Sequence, residues 1–154
     1  MTFNATHRFR MRATDGAGNV SGYTYGPSFK PAMSQDTSTA IHYGGTWGVT
    51  TTPYASGSTL HYAKASGAWA SQTITGAGVA WVAYKGPTRG QARVYIDGTL
   101  AATVDLYSAT YMSKAVVYAK TWSANGTHTI KIVCVGTAGH PRIDLDGFAR
   151  IVLT

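Results

Sequence analysis

From Gly76 onward the apolar residues fall in short runs: Val79–Tyr84, Ala92–Ile96, Leu100–Leu106, Lys114–Lys120, Thr127–Val135 and Ile143–Leu153. They recur at roughly 8–12-residue intervals and are separated by turn residues, the pattern of an all-β chain. No stretch of about a dozen residues keeps a 3.6-residue apolar period, so no helix is predicted. The separators are Lys85–Gly90, Asp97-Gly98, Asn125-Gly126 and Gly136–Pro141. Asp-Gly and Asn-Gly are strong hairpin signals because both central residues tolerate positive φ. One hairpin is therefore expected over Arg93–Asp105, turning at Asp97-Gly98, and a second over Lys114–Val135, turning near Asn125-Gly126. Upstream, Leu60–Tyr62 and Ala68–Thr75 complete a set of eight or more strands. The expected fold is a two-sheet antiparallel β-sandwich of the jelly-roll kind. Period-2 alternation makes one detailed prediction: if Ile74 points inward, so do Ala68, Ala70 and Gln72, while Trp69, Ser71, Thr73 and Thr75 point outward.

The first thirty residues differ in character. Phe9–Thr14 reads as a strand, Asp15–Ser21 as a tight polar loop and Tyr23–Phe29 as a returning strand. The phrase RATDGAGNVS at 12–21 resembles the last hairpin of an immunoglobulin-like or fibronectin type III repeat of bacterial secreted proteins. Only that hairpin is covered; the other strands of such a repeat are missing. Because an isolated hairpin is marginally stable in water, residues 1–31 are expected to dock on the rest of the chain or to pair with the same segment of a second copy as a homodimer. Pro27 and Pro31 then mark a linker, with Pro31–Thr39 polar and extended. The division is 1–31 for the hairpin and 32–154 for the sandwich.

Composition reinforces the strand reading. The 154 residues include 18 Gly and 10 Tyr but only 12% charged residues, about half the usual share. Lys and Arg total 13 against 6 acids, all of them Asp, giving a net charge of +7. From residue 32 onward 9 cations face 5 acids, a difference of +4, so residues 1–31 carry the remaining +3. Cys134 stands alone, which precludes an intramolecular disulfide and a cysteine-based zinc site. No apolar run reaches the roughly 18–20 residues of a membrane span, and no signal-peptide core is visible, so targeting is expected to lie outside this chain. Apart from Arg8, Arg10 and Arg12 on one strand face the cations are dispersed. With no recognition helix or RNP-like motif, nucleic acid is not an expected partner. A basic surface suits an acidic polysaccharide or an anionic cell wall.

Six ordered phrases carry a second resemblance: YGGTW (43–47), TLHYAKASGA (59–68), GVAWVAYKGPTRGQARVYIDG (78–98), TVDLYS (103–108), GTHTIKI (126–132) and RIDLDGF (142–148). Together they resemble a non-catalytic β-sandwich module appended to bacterial secreted glycosidases and surface proteins, similar in architecture to galactose-binding-like and carbohydrate-binding domains. The resemblance implies binding of a polysaccharide or glycan without catalysis, in a secreted or surface protein. The alternative it leaves is a structural or adhesive spacer that mediates protein contacts or self-association.

Sugar recognition needs an aromatic face for the ring's C–H surface and planar polar groups for its hydroxyls. Trp47, Trp81 and Trp122 lie in apolar surroundings and read as packing. Trp69 is either an exposed platform or a contact for residues 1–31. Tyr84, Tyr107 and Tyr111 stand at strand ends or in loops and are the binding candidates among the tyrosines. In the loop between strands, Lys85 and Arg89 either hold an acidic sugar's carboxylate or are simply solvated. That loop lacks the Gly-x-x-x-x-Gly-Lys-Ser/Thr spacing of a phosphate cradle. Asp97 reads as a turn residue, and Asp105 as an outward residue with a cation for a partner. Asp144 and Asp146, two apart, share one strand face and are the candidates for a structural calcium, or for capping backbone amides. For catalysis the inventory is thin: the histidines show no metal spacing and no serine sits in a nucleophile elbow. A hydrolase built on Asp144 or Asp146 is the weakest reading, and no enzymatic activity is expected.

Overall fold

The computed structural model describes residues 2–154 and is all-β. Eleven strands run as β1 His7–Met11, β2 Thr24–Gln35, β3 His42–Gly44, β4 Gly48–Thr51, β5 Thr59–Ala63, β6 Trp69–Lys85, β7 Gln91–Ile96, β8 Thr99–Asp105, β9 Met112–Cys134, β10 Ile143–Leu145 and β11 Gly147–Leu153. An eight-stranded sheet has the order β1-β2-β11-β6-β9-β7-β8, with β3 also on β6, and faces a three-stranded sheet of order β10-β5-β4. Ile74, Trp81, Val94, Leu106, Ile130, Ile132, Ile143, Leu145 and Phe148 fill the space between them. Along β6 the alternation holds as expected: Ala70, Gln72 and Ile74 are buried with Ala68 just before them, and Thr73 and Thr75 are exposed.

The Asp97-Gly98 hairpin forms between β7 and β8, with φ of 50° and 80° at the two turn residues. Asn125-Gly126 does not turn a hairpin. Residues 112–134 form one strand whose ladder with β6 jumps from Gly76↔Gly126 to Gly78↔Thr121, so that Trp122–Asn125 bulge out opposite Ala77. The reason is non-local: β6, at 17 residues, is long enough to pair with both halves of β9. Tertiary contacts also hold the bulge. The Asn125 side chain donates to Leu153 O at 2.7 Å and accepts from Leu153 N at 2.8 Å, imitating a strand neighbour for the end of β11. Trp122 stacks on His128 with ring centroids 3.7 Å apart. Asn125→Ala removes both bonds at an exposed site and is expected to lower the unfolding free energy by about 1 kcal/mol, readable by urea denaturation.

The expected linker at Pro27 and Pro31 is also a strand. β2 runs through both prolines and pairs Phe29–Gln35 with Leu153–Gly147 of β11. A strand residue directs its N–H and C=O to the same edge. Pro31 O accepts from Asn4 N at 2.7 Å, so its missing donor falls on the β1 side and the β11 ladder is intact. The N-terminal hairpin thereby extends the large sheet.

Ile143–Leu153, read as one strand, breaks at Asp146 and changes sheets there. Asp146 N donates to Val82 O and Asp146 O accepts from Asp36 N. Gly147 follows because any Cβ there would strike the backbone oxygen of Ser34.

Candidate functional site

β6 carries two of the predicted site residues to opposite ends of the sheet. Trp69 and Lys85 bound that strand and stand about 50 Å apart along it at roughly 3.3 Å per residue. Trp69 is half-buried: its indole lies over Gly44 and the Lys131 ammonium sits 4.9 Å from the ring centroid. It is thus covered by β3 and β9, and its surroundings hold none of the other candidates.

At the far end three segments are knitted together by main-chain bonds. Gly86 N donates to Leu106 O (3.0 Å), Leu106 N to Gly90 O (3.0 Å), Ser108 N to Gly86 O (3.3 Å) and Gly90 N to Arg142 O (2.9 Å). Between them lies a cleft of about 170 Å³ lined by Arg89, Gly90, Asp105, Tyr107, Thr137 and His140. Tyr107 is half exposed and stands edge-on to His140 with centroids 5.3 Å apart. His140 Nδ1 lies 2.6 Å from Pro87 O, an acceptor only, so Nδ1 is the donor of that bond and Nε2 is left facing the cleft's polar margin. Asp105 Oδ1 accepts from Tyr107 N at 2.8 Å, fixing the backbone beneath the ring. Its partner is thus this amide rather than the expected cation. Beside the cleft, exposed Tyr111 packs against Gly86, and the Arg89 guanidinium lies 5.2 Å from its ring centroid.

Arg89 itself is buried, against the expectation of a solvated or ligand-ready loop cation. Its Nε donates to Asp144 Oδ2 at 2.6 Å and its Nη1 to Thr88 Oγ1 at 2.9 Å. Arg142 Nε donates to the other oxygen, Asp144 Oδ1, at 2.6 Å. Asp144 therefore bridges two guanidinia, one oxygen to each, beneath the cleft. Lys85 is half-buried at the loop's start. Tyr84 is buried against Ala55 and Leu60, so it presents no platform, and burial raises its phenol pKa.

Asp146 turns to different partners from Asp144. Both its oxygens accept from Ser56 N, at 2.8 and 3.1 Å, and burial pushes its carboxyl pKa upward. Among the described residues no group of three or more His, Cys, Asp or Glu is arranged to hold a metal ion. A raised folded-state pKa means that this group's contribution is fully present below the ordinary carboxyl pKa and is lost as pH rises through the folded value. Asp146→Asn, whose amide oxygen still accepts from Ser56, is expected to gain stability relative to wild type as pH rises from acid to neutral. Urea unfolding of both proteins at several pH values reads that difference.

A further buried carboxylate was invisible to sequence reading, which left Asp36 in a polar linker. Asp36 is fully buried and accepts from Thr59 Oγ1 (3.0 Å), with His61 Nδ1 at 2.9 Å; Tyr43 stacks on His61 with centroids 4.6 Å apart. Thr137 and His140 were likewise missed, because the loop carrying them meets the cleft only through tertiary contact. A larger groove of about 400 Å³ lies on the large sheet over Gly78, Ala80, Val82, Val116 and Ala149. Its floor is apolar and offers sugar hydroxyls few partners.

No protein-family model matches the chain. It is 28% identical over 151 residues to the A type blood N-acetyl-α-D-galactosamine deacetylase of Flavonifractor plautii, a match covering 92% of this chain and 19% of that enzyme. It is 31% identical over 123 residues to the A type blood α-D-galactosamine galactosaminidase of the same organism, covering 80% of this chain and 11% of that enzyme. The chain thus spans a minor part of either relative's length. Among solved structures it resembles a family 35 carbohydrate-binding module of Clostridium thermocellum, with a TM-score of 0.55 at 14% identity over 81% of this chain and 99% of that one. The β-sandwich fold is thus one shared with this carbohydrate-binding module.

Proposed function

We propose that this chain is a non-catalytic carbohydrate-binding module of a secreted or surface bacterial protein, and that the sugar enters the cleft beside Tyr107. The observation that carries this reading is the half-exposed Tyr107 ring standing against His140 with Asp105 and Thr137 alongside. The ring offers an apolar face, while Asp105, Thr137 Oγ1 and His140 Nε2 offer polar groups at its margin. The woven backbone pre-forms the cleft, which limits the ordering cost of binding. A non-catalytic role is supported by the carboxylates. Glycoside hydrolysis takes a pair flanking the bond, whereas Asp36, Asp144 and Asp146 are buried with other partners and Asp105 alone lines the cleft.

Glycans terminating in N-acetylgalactosamine or galactosamine are the first probes, since both curated relatives bear those sugars in their names. In a glycan array followed by titration calorimetry, Tyr107→Ala is expected to weaken binding about ten-fold or more, the cost of a central aromatic contact. Trp69→Ala, at the other end of β6, is expected to leave affinity unchanged. Absence of binding to any neutral or acidic glycan would favour a spacer, and release of product from a bound glycan would make the chain an enzyme.

A further inference from the structure

We propose that the outer face of the N-terminal hairpin is a second binding surface, gripping the carboxylates of an acidic polysaccharide with Arg8, Arg10, Arg12 and Lys30. It rests on the carbohydrate reading only for its choice of ligand and is separate from the cleft.

Arg8 and Arg10 lie on β1 and Arg12 just past its end. The ladder with β2 shifts register between Arg8 and Arg10, but all three guanidinia lie over Tyr25 or Tyr23, two residues apart. That puts them on one face, roughly 6.7 Å apart along an extended chain. The register Arg8↔Ser28 places Lys30, two residues beyond Ser28, on that same face. The four cations form a line about 20 Å long by the same strand spacing. All four are exposed, and none makes an ion pair among the described residues. Asp15, the single acid of residues 1–31, is occupied in its own loop: it accepts from Ala17 N, Asn19 N and the Asn19 side chain.

The guanidinia are also pre-oriented. Arg8 lies 4.5 Å from the Tyr25 ring centroid, and Arg10 and Arg12 lie 4.1 and 5.3 Å from that of Tyr23. Arg8 Nε is further fixed on Gly26 O at 3.0 Å. A guanidinium lying on a ring keeps edge N–H groups directed outward, where a carboxylate is met by two parallel bonds. Charge on β1 by itself would serve to keep a free sheet edge from pairing with other chains. That purpose does not call for tyrosine rings beneath the arginines, whereas holding forks in a fixed row does. The same stacking disfavours single-stranded nucleic acid, because the tyrosine faces on which bases would stack are covered.

The full chain is tested on polygalacturonate by affinity electrophoresis and calorimetry, with a thymidine oligonucleotide as a second polyanion. Wild type is expected to bind polygalacturonate, with affinity falling steeply as salt rises and the Debye length shrinks to about 8 Å near 0.15 M. The triple variant Arg8→Gln, Arg10→Gln, Arg12→Gln is expected to lose at least ten-fold. The double variant Tyr23→Leu, Tyr25→Leu, with its charge intact, is expected to lose several-fold. A control with the same loss of charge elsewhere, Lys64→Gln, Lys114→Gln, Lys120→Gln, is expected to keep most of the affinity. All these sites are surface positions, and circular dichroism confirms that each variant is folded. The proposal is overturned if wild type ignores polygalacturonate, if the oligonucleotide binds as tightly, or if the control loses as much as the triple variant. Retained binding of a neutral glycan in any of those cases leaves the cleft reading standing.

Discussion

Asp144→Ala is expected to destabilise the protein by about 3–5 kcal/mol, the cost of leaving buried charge without its counter-ion. Both carboxylate oxygens are engaged at 2.6 Å, by Arg89 Nε and Arg142 Nε, and Asp144 has no exposed surface. Removing it leaves Arg89 buried under the cleft with Thr88 as its remaining side-chain hydrogen-bond partner. For a chain of this size each kcal/mol lowers Tm by about 2–4 °C, so the melting point is expected to fall by roughly 10 °C. The comparison that isolates the cause is Arg89→Met, Asp144→Leu, which removes the pair together and is expected to cost distinctly less than Asp144→Ala. Equal costs for the two proteins in denaturant titrations would show that packing around Asp144, rather than charge neutralisation, dominates.

The other large effect is expected at Gly90, and it falls on binding. A Cβ there would overlap the His140 carbonyl and approach the Thr137 side chain at 2.8 Å. Gly90 also donates its N–H to Arg142 O and lends its C=O to Leu106 N. Gly90→Ala therefore parts the two loops whose contact makes the cleft and shifts His140 from Tyr107. Sugar affinity is expected to fall about 100-fold or more, with a stability loss of about 1–3 kcal/mol from the forced backbone shift. Gly98→Ala is the matched control. Its positive φ of 80° makes the substitution unfavourable, but nothing lies within 4 Å, so it should lower stability while leaving affinity intact. A Gly90→Ala protein that binds as wild type would remove the cleft from consideration.

Where one residue's neighbours in sequence decide its environment, the sequence was a sufficient guide. Alternation alone placed Ala70, Gln72 and Ile74 inside and Thr73 and Thr75 outside, because a pleated strand gives adjacent residues opposite faces. Asp97-Gly98 turned its hairpin because the two φ values it needs are cheap for those residues. The same dipeptide logic failed at Asn125-Gly126, where continuous pairing with β6 outweighed a local turn preference. Pro31 misled for a related reason: its missing N–H faces an edge on which β11 makes no demand.

The candidate site was half legible. Tyr107 and Tyr111 stand open at the loop end as their positions suggested, yet Tyr84 is core and Trp69 is elsewhere. Arg89, read as a loop cation, is drawn inward by an aspartate 55 positions away. The chain's order of apolar and turn residues determined by itself that this is an antiparallel β-sandwich, since strand period and turn chemistry are properties of a few consecutive residues. Which carboxylate meets which guanidinium, and which loops share a cleft, depends on contacts between segments far apart in the chain, and those were decided only when the sheets packed.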